Sequence, residues 1–363
     1  MNVVFRCDAG YIIGAGHFMR CLRLALKLRE RGANSFFVMS HVNDFVRQKL
    51  AFHGFAFFEL CGADDAASCS DYSSWLPLGE KKDALLTQKV LEKLPPVSAI
   101  VVDHYRIAEK WHRNIGKSFK LIVIDDLANR RHLAHALIDS NEYTDKEKRY
   151  LDLAPPDCKL MLGAGYAMLD DAVLAFRKTA QEKKWGKVVH VCFGGSDHTG
   201  ETLKFIEAVV LINQKHLTLA KSGWKFHVVC GPQNKDVCKI QTLVEPLQNV
   251  DLHVDPRSHF ELMARASYAY GAGGTMTWER ASLFLPMALV ATAENQKKVC
   301  EDLSEMKMIH FLGDASEVTN LDYYEHILRL MKEGEKIVPK YFHKLAGISD
   351  GNGTERIVDW ILN

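Results

Sequence analysis

The sequence has none of the features that mark membrane, secreted or nucleic-acid-binding proteins. No run approaches the roughly 18 consecutive apolar residues that a transmembrane helix needs. The N-terminus lacks a basic stretch followed by a long apolar one, so we interpret it as a first strand rather than a secretory signal. Neither charge predominates, since 46 Lys and Arg stand against 45 Asp and Glu. This balance argues against a basic nucleic-acid footprint and against an acidic tail.

Cysteine pairs and common catalytic signatures are also absent. The nine cysteines are scattered with no CxxC pair, which argues against a disulfide scaffold or a zinc ribbon and for reduced thiols in the cytoplasm. HExxH, GxxxxGK(S/T) and GxSxG do not occur, so zincin, P-loop and α/β-hydrolase chemistry have no signal. No DxD triplet is available to hold manganese on a diphosphate. We therefore expect neither a metal nor a cofactor.

What the 363 residues do contain is an alternation of short apolar or β-branched runs with helical patterns. The clearest helix is predicted over 17–31, with Gly32 as its stop. Several of the runs are apolar without alternation, as expected for parallel strands buried on both faces. The first series of predicted strands covers 3–9, 34–40, 55–60, 99–104, 120–125 and 136–140. The second series covers 187–193, 225–230, 250–254, 268–270, 287–291 and 309–312.

Two such series separated by a linker predict an α/β protein with two Rossmann-like domains facing each other across a cleft. We expect an N-terminal domain over 1–160 and a C-terminal domain over 161–340. Residues 341–363 are expected to form a C-terminal helix that packs back on the N-terminal domain. Ligands of doubly wound sheets bind beyond the carboxyl ends of the strands, so functional residues should follow the strands directly.

The loop after the first strand is the first candidate site. Its glycines, Gly14 and Gly16, let the backbone approach a ligand closely, but Met19 stands where a dinucleotide fingerprint has its third glycine. His17 lies at the predicted helix start, where the helix dipole disfavours imidazolium and favours the neutral ring that a general base needs. From these residues alone, a base acting on water and a histidine that merely caps or packs are equally supported.

Two glycine-rich loops follow strands of the second series. The run 193–197 contains Gly194, Gly195 and Ser196, and taken alone it favours a tight turn with Ser196 or Asp197 as helix N-cap. The run 271–279 is the stronger signal, because three glycines and two threonines between a strand and a helix suit a diphosphate. Its carboxylate, Glu279, lacks the Ser or Thr three positions earlier that a capping box requires.

Three polar groups remain, each with two interpretations. The triplet Glu294, Asn295 and Gln296 is either a surface loop or a set of hydrogen-bonding groups for a sugar. The acidic runs 103–105 and 125–126 either line the cleft or cap the following helices.

Taken together, these loops resemble one known family. The run 5–24 resembles the opening of the UDP-2,4-diacetamido-2,4,6-trideoxy-β-L-altropyranose hydrolases of pseudaminic acid biosynthesis. That family is similar in architecture to GT-B glycosyltransferases, in particular the one that adds N-acetylglucosamine to lipid-linked muramyl precursors. The resemblance covers essentially the whole chain through the segments 83–87, 102–105, 123–128, 162–163, 193–197, 271–279, 294–296 and 350–353.

The resemblance implies a cytoplasmic, metal-independent enzyme that transfers the sugar of a UDP-sugar to water, with inversion at the anomeric carbon. It implies that His17 is the catalytic residue, that the nucleotide contacts lie in the two glycine-rich loops, and that Glu279 holds the uridine ribose. The expected partners are the UDP-sugar and water, with no nucleic acid and no membrane insertion. The expected substrate-binding residues are Gly14, Gly16, Asp103, Tyr105, Gly194, Gly195, Ser196, Gly273, Gly274, Thr275, Glu279, Glu294, Asn295 and Gln296.

Two alternatives stay open at this point. One is a GT-B glycosyltransferase that uses a UDP-sugar donor. The other is a non-catalytic nucleotide-sugar-binding protein.

Overall fold

The chain divides into two compact units, each built around one parallel sheet. Unit 1 comprises Met1–Leu169 and Asn352–Asn363, and unit 2 comprises Asp170–Gly351. None of the helices in the described ranges has the length and apolar character needed to cross a bilayer. The computed structural model describes residues 1–10, 13–60, 75–183, 185–216, 221–231, 233–256, 258–345 and 347–363.

Unit 1 has a seven-stranded sheet in the order β3-β2-β1-β4-β5-β6-β7. Its helices in this part of the chain are α1 (Gly16–Glu30), α2 (Asp44–His53), α3 (Gly79–Leu91) and α4 (Glu109–Ile115). All six strands predicted for the first half are confirmed, and one further strand, β7, was not predicted. The strands are β1 (Asn2–Cys7), β2 (Asn34–Met39), β3 (Ala56–Glu59), β4 (Ala99–Asp103), β5 (Lys120–Ile124), β6 (Ala136–Asp139) and β7 (Lys159–Leu162).

Unit 2 has a six-stranded sheet in the order β10-β9-β8-β11-β12-β13, and all six predicted strands of the second series are confirmed. The strands are β8 (Val188–Cys192), β9 (Lys225–Cys230), β10 (Val250–Val254), β11 (Tyr268–Ala272), β12 (Met287–Ala291) and β13 (His310–Asp314). The helices are α5 (Asp171–Leu174), α6 (Arg177–Glu182), α7 (Glu201–Lys215), α8 (Val237–Val244), α9 (Phe260–Arg265), α10 (Met276–Ser282), α11 (Glu294–Glu305) and α12 (Asn320–Leu345).

The last helix, α13 (Gly353–Leu362), belongs to unit 1 although the whole of unit 2 precedes it in the chain. It is amphipathic, and Ile357, Val358 and Ile361 of its apolar face are buried in the same core cluster as residues of α1 and β1. Lysine and arginine side chains of α1 and its C-terminus face the acidic side of α13, where Arg31 pairs with Asp359 at 2.9 Å. Burial of the apolar face is the larger stabilising effect, because exposed ion pairs contribute little.

A fully buried arginine ties the strand ends of unit 1 together. Arg6 of β1 donates from Nε and Nη2 to Asp83 of α3 at 3.0 and 2.6 Å. It also donates from Nη1 and Nη2 to both oxygens of Asp8, at 2.8 and 3.1 Å. Asp8 in turn accepts the backbone N–H of Ser40, just after β2, at 2.6 Å. The ends of β1 and β2 and the helix α3 are therefore fixed by one set of paired charges.

His104, just after β4, extends this charge network. Its Nδ1 accepts the backbone N–H of Arg106 at 3.0 Å, so Nδ1 carries no hydrogen. Its Nε2 therefore carries the hydrogen and faces Asp8 Oδ2 at 3.2 Å. Burial lowers the pKa of His104, which keeps the ring neutral at physiological pH. The residue next to it, Asp103, is thereby held by the backbone at the end of β4.

Substitution of Arg6 by methionine should lower the free energy of unfolding by about 3–5 kcal/mol, because two buried carboxylates would lose their cation. Denaturant unfolding followed by circular dichroism measures the change. The matched control is Arg47→Met, which removes an ion pair with Glu59 whose side chains are 44% and 39% exposed. The control should change stability by less than about 1 kcal/mol. An equal effect of the two substitutions would contradict this assignment.

Candidate functional site

A histidine–aspartate pair lies at the carboxyl edge of the unit 1 sheet. His17 is the second residue of α1, and Asp103 is the last residue of β4, which pairs with β1. Their Nδ1 and Oδ1 atoms are 2.6 Å apart. Asp103 is fully buried, and His17 is 6% exposed. The topology brings them together because α1 follows β1 directly and β4 is the neighbouring strand.

Arg20, one turn further along α1, holds Asp103 from the same side. It donates from Nε to Asp103 Oδ2 at 3.0 Å and from Nη2 to Asp103 Oδ1 at 2.9 Å. Its Nη1 donates to Asp126 Oδ2, just after β5, at 3.0 Å. Arg20 therefore joins the ends of two strands through two carboxylates. Its spacing of three residues from His17 places both on one helix face, a signal that sequence analysis did not use.

These contacts determine which nitrogen of His17 is available for chemistry. Burial alone would raise the pKa of Asp103, but Arg20 and His17 outweigh it and the pKa is lowered. The ionised carboxylate only accepts hydrogen bonds, so the neutral His17 ring carries its hydrogen on Nδ1. Arg20 Nη2 and His17 Nδ1 both donate to Asp103 Oδ1, which explains why these two nitrogens lie 3.2 Å apart. Nε2 has a free lone pair, and no hydrogen bond joins it to another described residue.

Aromatic rings enclose the histidine. The Tyr105 ring meets His17 edge-on with centroids 4.4 Å apart, and Trp75 does so at 6.1 Å. Tyr105 and Trp75 stack on each other at 5.7 Å. Together with Ile13 they form a small apolar cluster, which restricts the His17 ring and lowers the local dielectric. Trp75 was not predicted, because it belongs to no motif.

The glycine loop before α1 has a defined shape. Gly10 and Gly14 form an antiparallel bridge, and Gly14 has a φ of 74°, a conformation that glycine adopts at low cost. Ala15 is the N-cap of α1 and makes no side-chain cap, and no acidic residue lies in the first turn. Gly16 has open space where a side chain would stand. The structure thus brings Gly14, Gly16, His17, Asp103 and Tyr105 to one edge of the sheet.

In unit 2, the loop after β8 is organised by an aspartate. Asp197 Oδ1 accepts the backbone N–H of Glu201 at 3.0 Å, and Oδ2 accepts that of Thr202 at 2.8 Å. The N-cap position of α7 is Gly200 rather than Ser196 or Asp197, but Asp197 accepts the N–H groups of the first two residues of the helix from three positions upstream. Because its carboxylate already accepts the N–H groups at the start of α7, these groups are not available to a phosphate. Gly194 and Ser196 are half-buried and Gly195 is exposed.

The loop between β11 and α10 is packed closely against side chains. A Cβ at Gly271 would stand 2.1 Å from Arg280 Nη2, and one at Gly273 would stand 2.3 Å from Cys300 Sγ. Glycine is required at both positions by the protein's own packing. Gly274 and Thr275 are half-buried, and Thr275 precedes α10 without making a side-chain cap. Glu279 lies on α10 and is almost fully buried.

The polar triplet forms the first turn of α11 rather than a loop. Gln296 Oε1 accepts hydrogen bonds from the backbone N–H and the hydroxyl of Thr292, at 3.0 and 3.1 Å. The oxygen of Gln296 is thus used in a local contact, and its Nε2 would stand 3.6 Å from a Cβ at Gly274. Glu294 is exposed and Asn295 is half-buried.

Comparison with known proteins identifies the fold. No family model matches the chain. An uncharacterised protein of Methanocaldococcus jannaschii is 20% identical over 315 residues, which are 83% of this chain and 58% of that protein. The chain thus spans a little over half the length of this curated relative.

Solved structures match over the whole chain. MurG of Acinetobacter baumannii aligns with a TM-score of 0.68 and 12% identity over 99% of both chains. A UDP-glucosyltransferase from Polygonum tinctorium gives 0.67 and 14% over 100% of this chain and 98% of its own. The UDP-GlcNAc 2-epimerase of Neisseria meningitidis, bound to UDP-GlcNAc, gives 0.58 and 15% over 100% of both. At these identities the likeness establishes the fold, which is the two-sheet α/β architecture of GT-B glycosyltransferases and related epimerases.

Proposed function

We propose that the protein hydrolyses UDP-2,4-diacetamido-2,4,6-trideoxy-β-L-altropyranose, or a close UDP-sugar, to UDP and the free sugar. The observation that carries this proposal is the 2.6 Å contact between His17 and Asp103, which leaves His17 Nε2 without a partner among the described residues. The fold likeness to enzymes named for UDP-sugars supports the substrate class. The resemblance in the loops supplies the identity of the sugar.

His17 acts as general base in this proposal. Nε2 accepts a proton from water while the water oxygen bonds to the anomeric carbon, and the bond from that carbon to the UDP oxygen breaks with its electron pair leaving on UDP. Attack from the face opposite the leaving group gives inversion. The ring becomes a cation during this step, and the ionised Asp103 behind it stabilises that charge.

The role of Asp103 differs from the substrate contact expected from the sequence. Asp103 is fully buried, and both its oxygens accept hydrogen bonds from Arg20, with His17 sharing one of them. Three of its roughly four acceptor positions are used by these two side chains, and its complete burial keeps it from a sugar hydroxyl. We assign Asp103 to orient the His17 ring and to fix its tautomer. Tyr105 lies against the same ring and keeps it in place, and its hydroxyl, which is hydrogen-bonded to Asp126, is proposed to contact the sugar as well.

The nucleotide is assigned to unit 2. Backbone N–H groups at Gly274 and Thr275 would donate to the diphosphate, with Gly194, Gly195 and Ser196 contributing from the neighbouring strand end. The N–H of Gly273 donates to the Val290 carbonyl at 3.0 Å, so Gly273 is proposed to let the backbone approach the diphosphate closely rather than to donate to it. Because Asp197 occupies the start of α7, the 271–275 loop carries the larger share. Glu279 would accept hydrogen bonds from the ribose hydroxyls, and Glu294, Asn295 and Gln296 are proposed on the sugar side.

A glycosyltransferase remains the second candidate, and the likeness to MurG is the observation that favours it. NMR of the protein with a panel of UDP-sugars in buffer separates the two activities. Hydrolysis predicts UDP and free sugar without any added acceptor, with the inverted anomer appearing first. Turnover only after addition of an acceptor would establish a transferase, and binding without turnover would establish a non-catalytic protein.

Removal of the base is the most direct mechanistic test. His17→Ala should lower turnover by roughly 10²–10⁴-fold, the range typical of a positioned acid–base group, with UDP affinity nearly unchanged. Asp103→Asn should lower turnover in the same direction, since the amide no longer stabilises the ring cation. His53→Ala, a half-buried histidine on α2, is the matched control. Near-normal turnover of the His17 variant would contradict its assignment as base.

Chelation tests how the leaving group is stabilised. EDTA should leave turnover unchanged, because the sequence lacks a DxD triplet and no three His, Cys, Asp or Glu of the described residues are arranged to hold an ion. Initial rates with and without EDTA measure this. Inhibition that magnesium or manganese reverses would show that a cation, rather than the glycine-rich loops, stabilises the diphosphate.

Glu279 tests the position of the nucleotide. Two charge-assisted hydrogen bonds to ribose hydroxyls are each worth about 1.5–3 kcal/mol, so Glu279→Ala should weaken UDP binding by roughly 10- to 100-fold or more. Glu279→Gln should restore part of the affinity, because its amide oxygen still accepts. Calorimetric titration with UDP measures both, and Glu261→Ala on α9 is the control. A Glu279 variant that melts earlier but binds UDP normally would show a purely structural role.

A further inference from the structure

Arg280 of α10 is a buried cation without an anion. Its side chain is 0% exposed, and Nη2 donates to the backbone carbonyl of Cys192 at 2.6 Å. Nε and Nη1 have no hydrogen-bond partner in the part of the chain that the structure describes. The two other arginines that are buried in the described ranges, Arg6 of β1 and Arg20 of α1, differ because each pairs with two carboxylates. Arg280 forms no such pair with any described carboxylate.

The position of Arg280 links the two glycine-rich loops. Cys192 is the last residue of β8, directly before the 193–197 run, and it pairs in register with Gly271 of β11. The guanidinium packs against Gly271, where a Cβ would be 2.1 Å from Nη2 and 2.5 Å from Cζ. The charge therefore lies next to the ends of β8 and β11, from which the two loops leave the sheet.

Neighbouring groups do not neutralise this charge. Burial lowers the pKa of Arg280, and Cys192 and Glu279 offset this only in part. Two histidines nearby, His190 and His259, have pKa values lowered by burial and by Arg280, so they remain neutral. An unpaired cation in a low dielectric is costly to the fold and projects a strong positive potential onto adjacent backbone.

We propose that Arg280 is the built-in countercharge for a diphosphate bound at the 271–275 loop, and that it also holds the two glycine-rich loops in register. This inference rests on the proposed function for the nucleotide, and it adds the residue that supplies the attraction. Because Arg280 is fully buried, it acts through the loops as a positioning and electrostatic residue rather than by direct contact. Binding of an anion then offsets the destabilisation of the fold that the buried, unpaired charge causes.

The proposal predicts opposite effects on binding and on stability. Arg280→Met should weaken the binding of UDP and of inorganic pyrophosphate by roughly 10- to 100-fold. It should leave the affinity for uridine, measured by ligand-observed NMR, unchanged. The melting temperature of the ligand-free variant should equal or exceed that of the wild type, because a buried unpaired charge has been removed. Arg280→Lys should retain more of the pyrophosphate affinity than Arg280→Met does.

Arg265→Met is the matched control, because this side chain on α9 is 68% exposed, and it should change none of these quantities. Equal loss of uridine and UDP binding would show that Arg280 only shapes the loops and would overturn the proposal. Unchanged pyrophosphate binding in a folded variant would also overturn it. If Arg280→Met does not fold, Arg280→Gln and Arg280→Lys provide the same comparison. If the wild-type protein binds pyrophosphate in an Arg280-dependent way but does not bind UDP, the proposed nucleotide substrate is wrong and the anion site at Arg280 is supported.

Discussion

The pairing of buried charges at the carboxyl edge of the unit 1 sheet is the constraint on which the candidate site depends. A guanidinium that is buried away from water must be paired with negative charge. Arg6 is paired with the carboxylates of Asp8 and Asp83, to which it donates four hydrogen bonds. Asp8 fixes His104, and the next residue back along the chain is Asp103. The carboxylate behind His17 therefore cannot shift without disturbing a set of contacts that also fixes β1, β2 and α3.

The two units use buried arginine in opposite ways. In unit 1 each buried guanidinium is paired with two carboxylates, which gives a histidine rigid surroundings with an excess of negative charge. Among the described residues of unit 2, Arg280 donates to the carbonyl oxygen of Cys192 and to the sulfur of Met276, and Asp197 accepts the first N–H groups of α7 instead of balancing its charge. Rigidity suits a group that must present a lone pair in one direction. An unbalanced charge suits a site that is to be completed by an anion.

The sheets were largely predictable because their strands are continuous apolar runs buried on both faces. The strand β7 was not predicted because it has only four residues, KLML, and follows a proline-containing turn that is typical of a linker. The candidate site was predictable only in part. Motif spacing indicated His17, but the role of Asp103 depends on burial and on Arg20, which are consequences of tertiary packing.

Two glycines also show that a sequence alone does not distinguish a packing role from a binding role. Gly271 and Gly273 belong to a run that is typical of a phosphate-binding loop. Each is nevertheless needed for packing, because a neighbouring side chain fills the space where a Cβ would stand. The sequence shows only that these two positions carry no side chain. A glycine is needed both where a neighbouring side chain packs closely against the backbone and where a ligand approaches it closely. Trp75 illustrates the opposite case, since an aromatic ring outside any motif became part of the site through packing alone.

The return of α13 to unit 1 determines the order in which the chain can fold during synthesis. Ile357, Val358 and Ile361 complete a core whose other members were translated more than 180 residues earlier, the length of Asp170–Gly351. Unit 2, although second in sequence, is continuous and can fold as soon as it leaves the ribosome. Unit 1 must wait with an open apolar groove along α1 until residues 353–362 arrive. Vectorial synthesis thus leaves the apolar surface of α1, in the unit that carries His17, uncovered until the last helix is made.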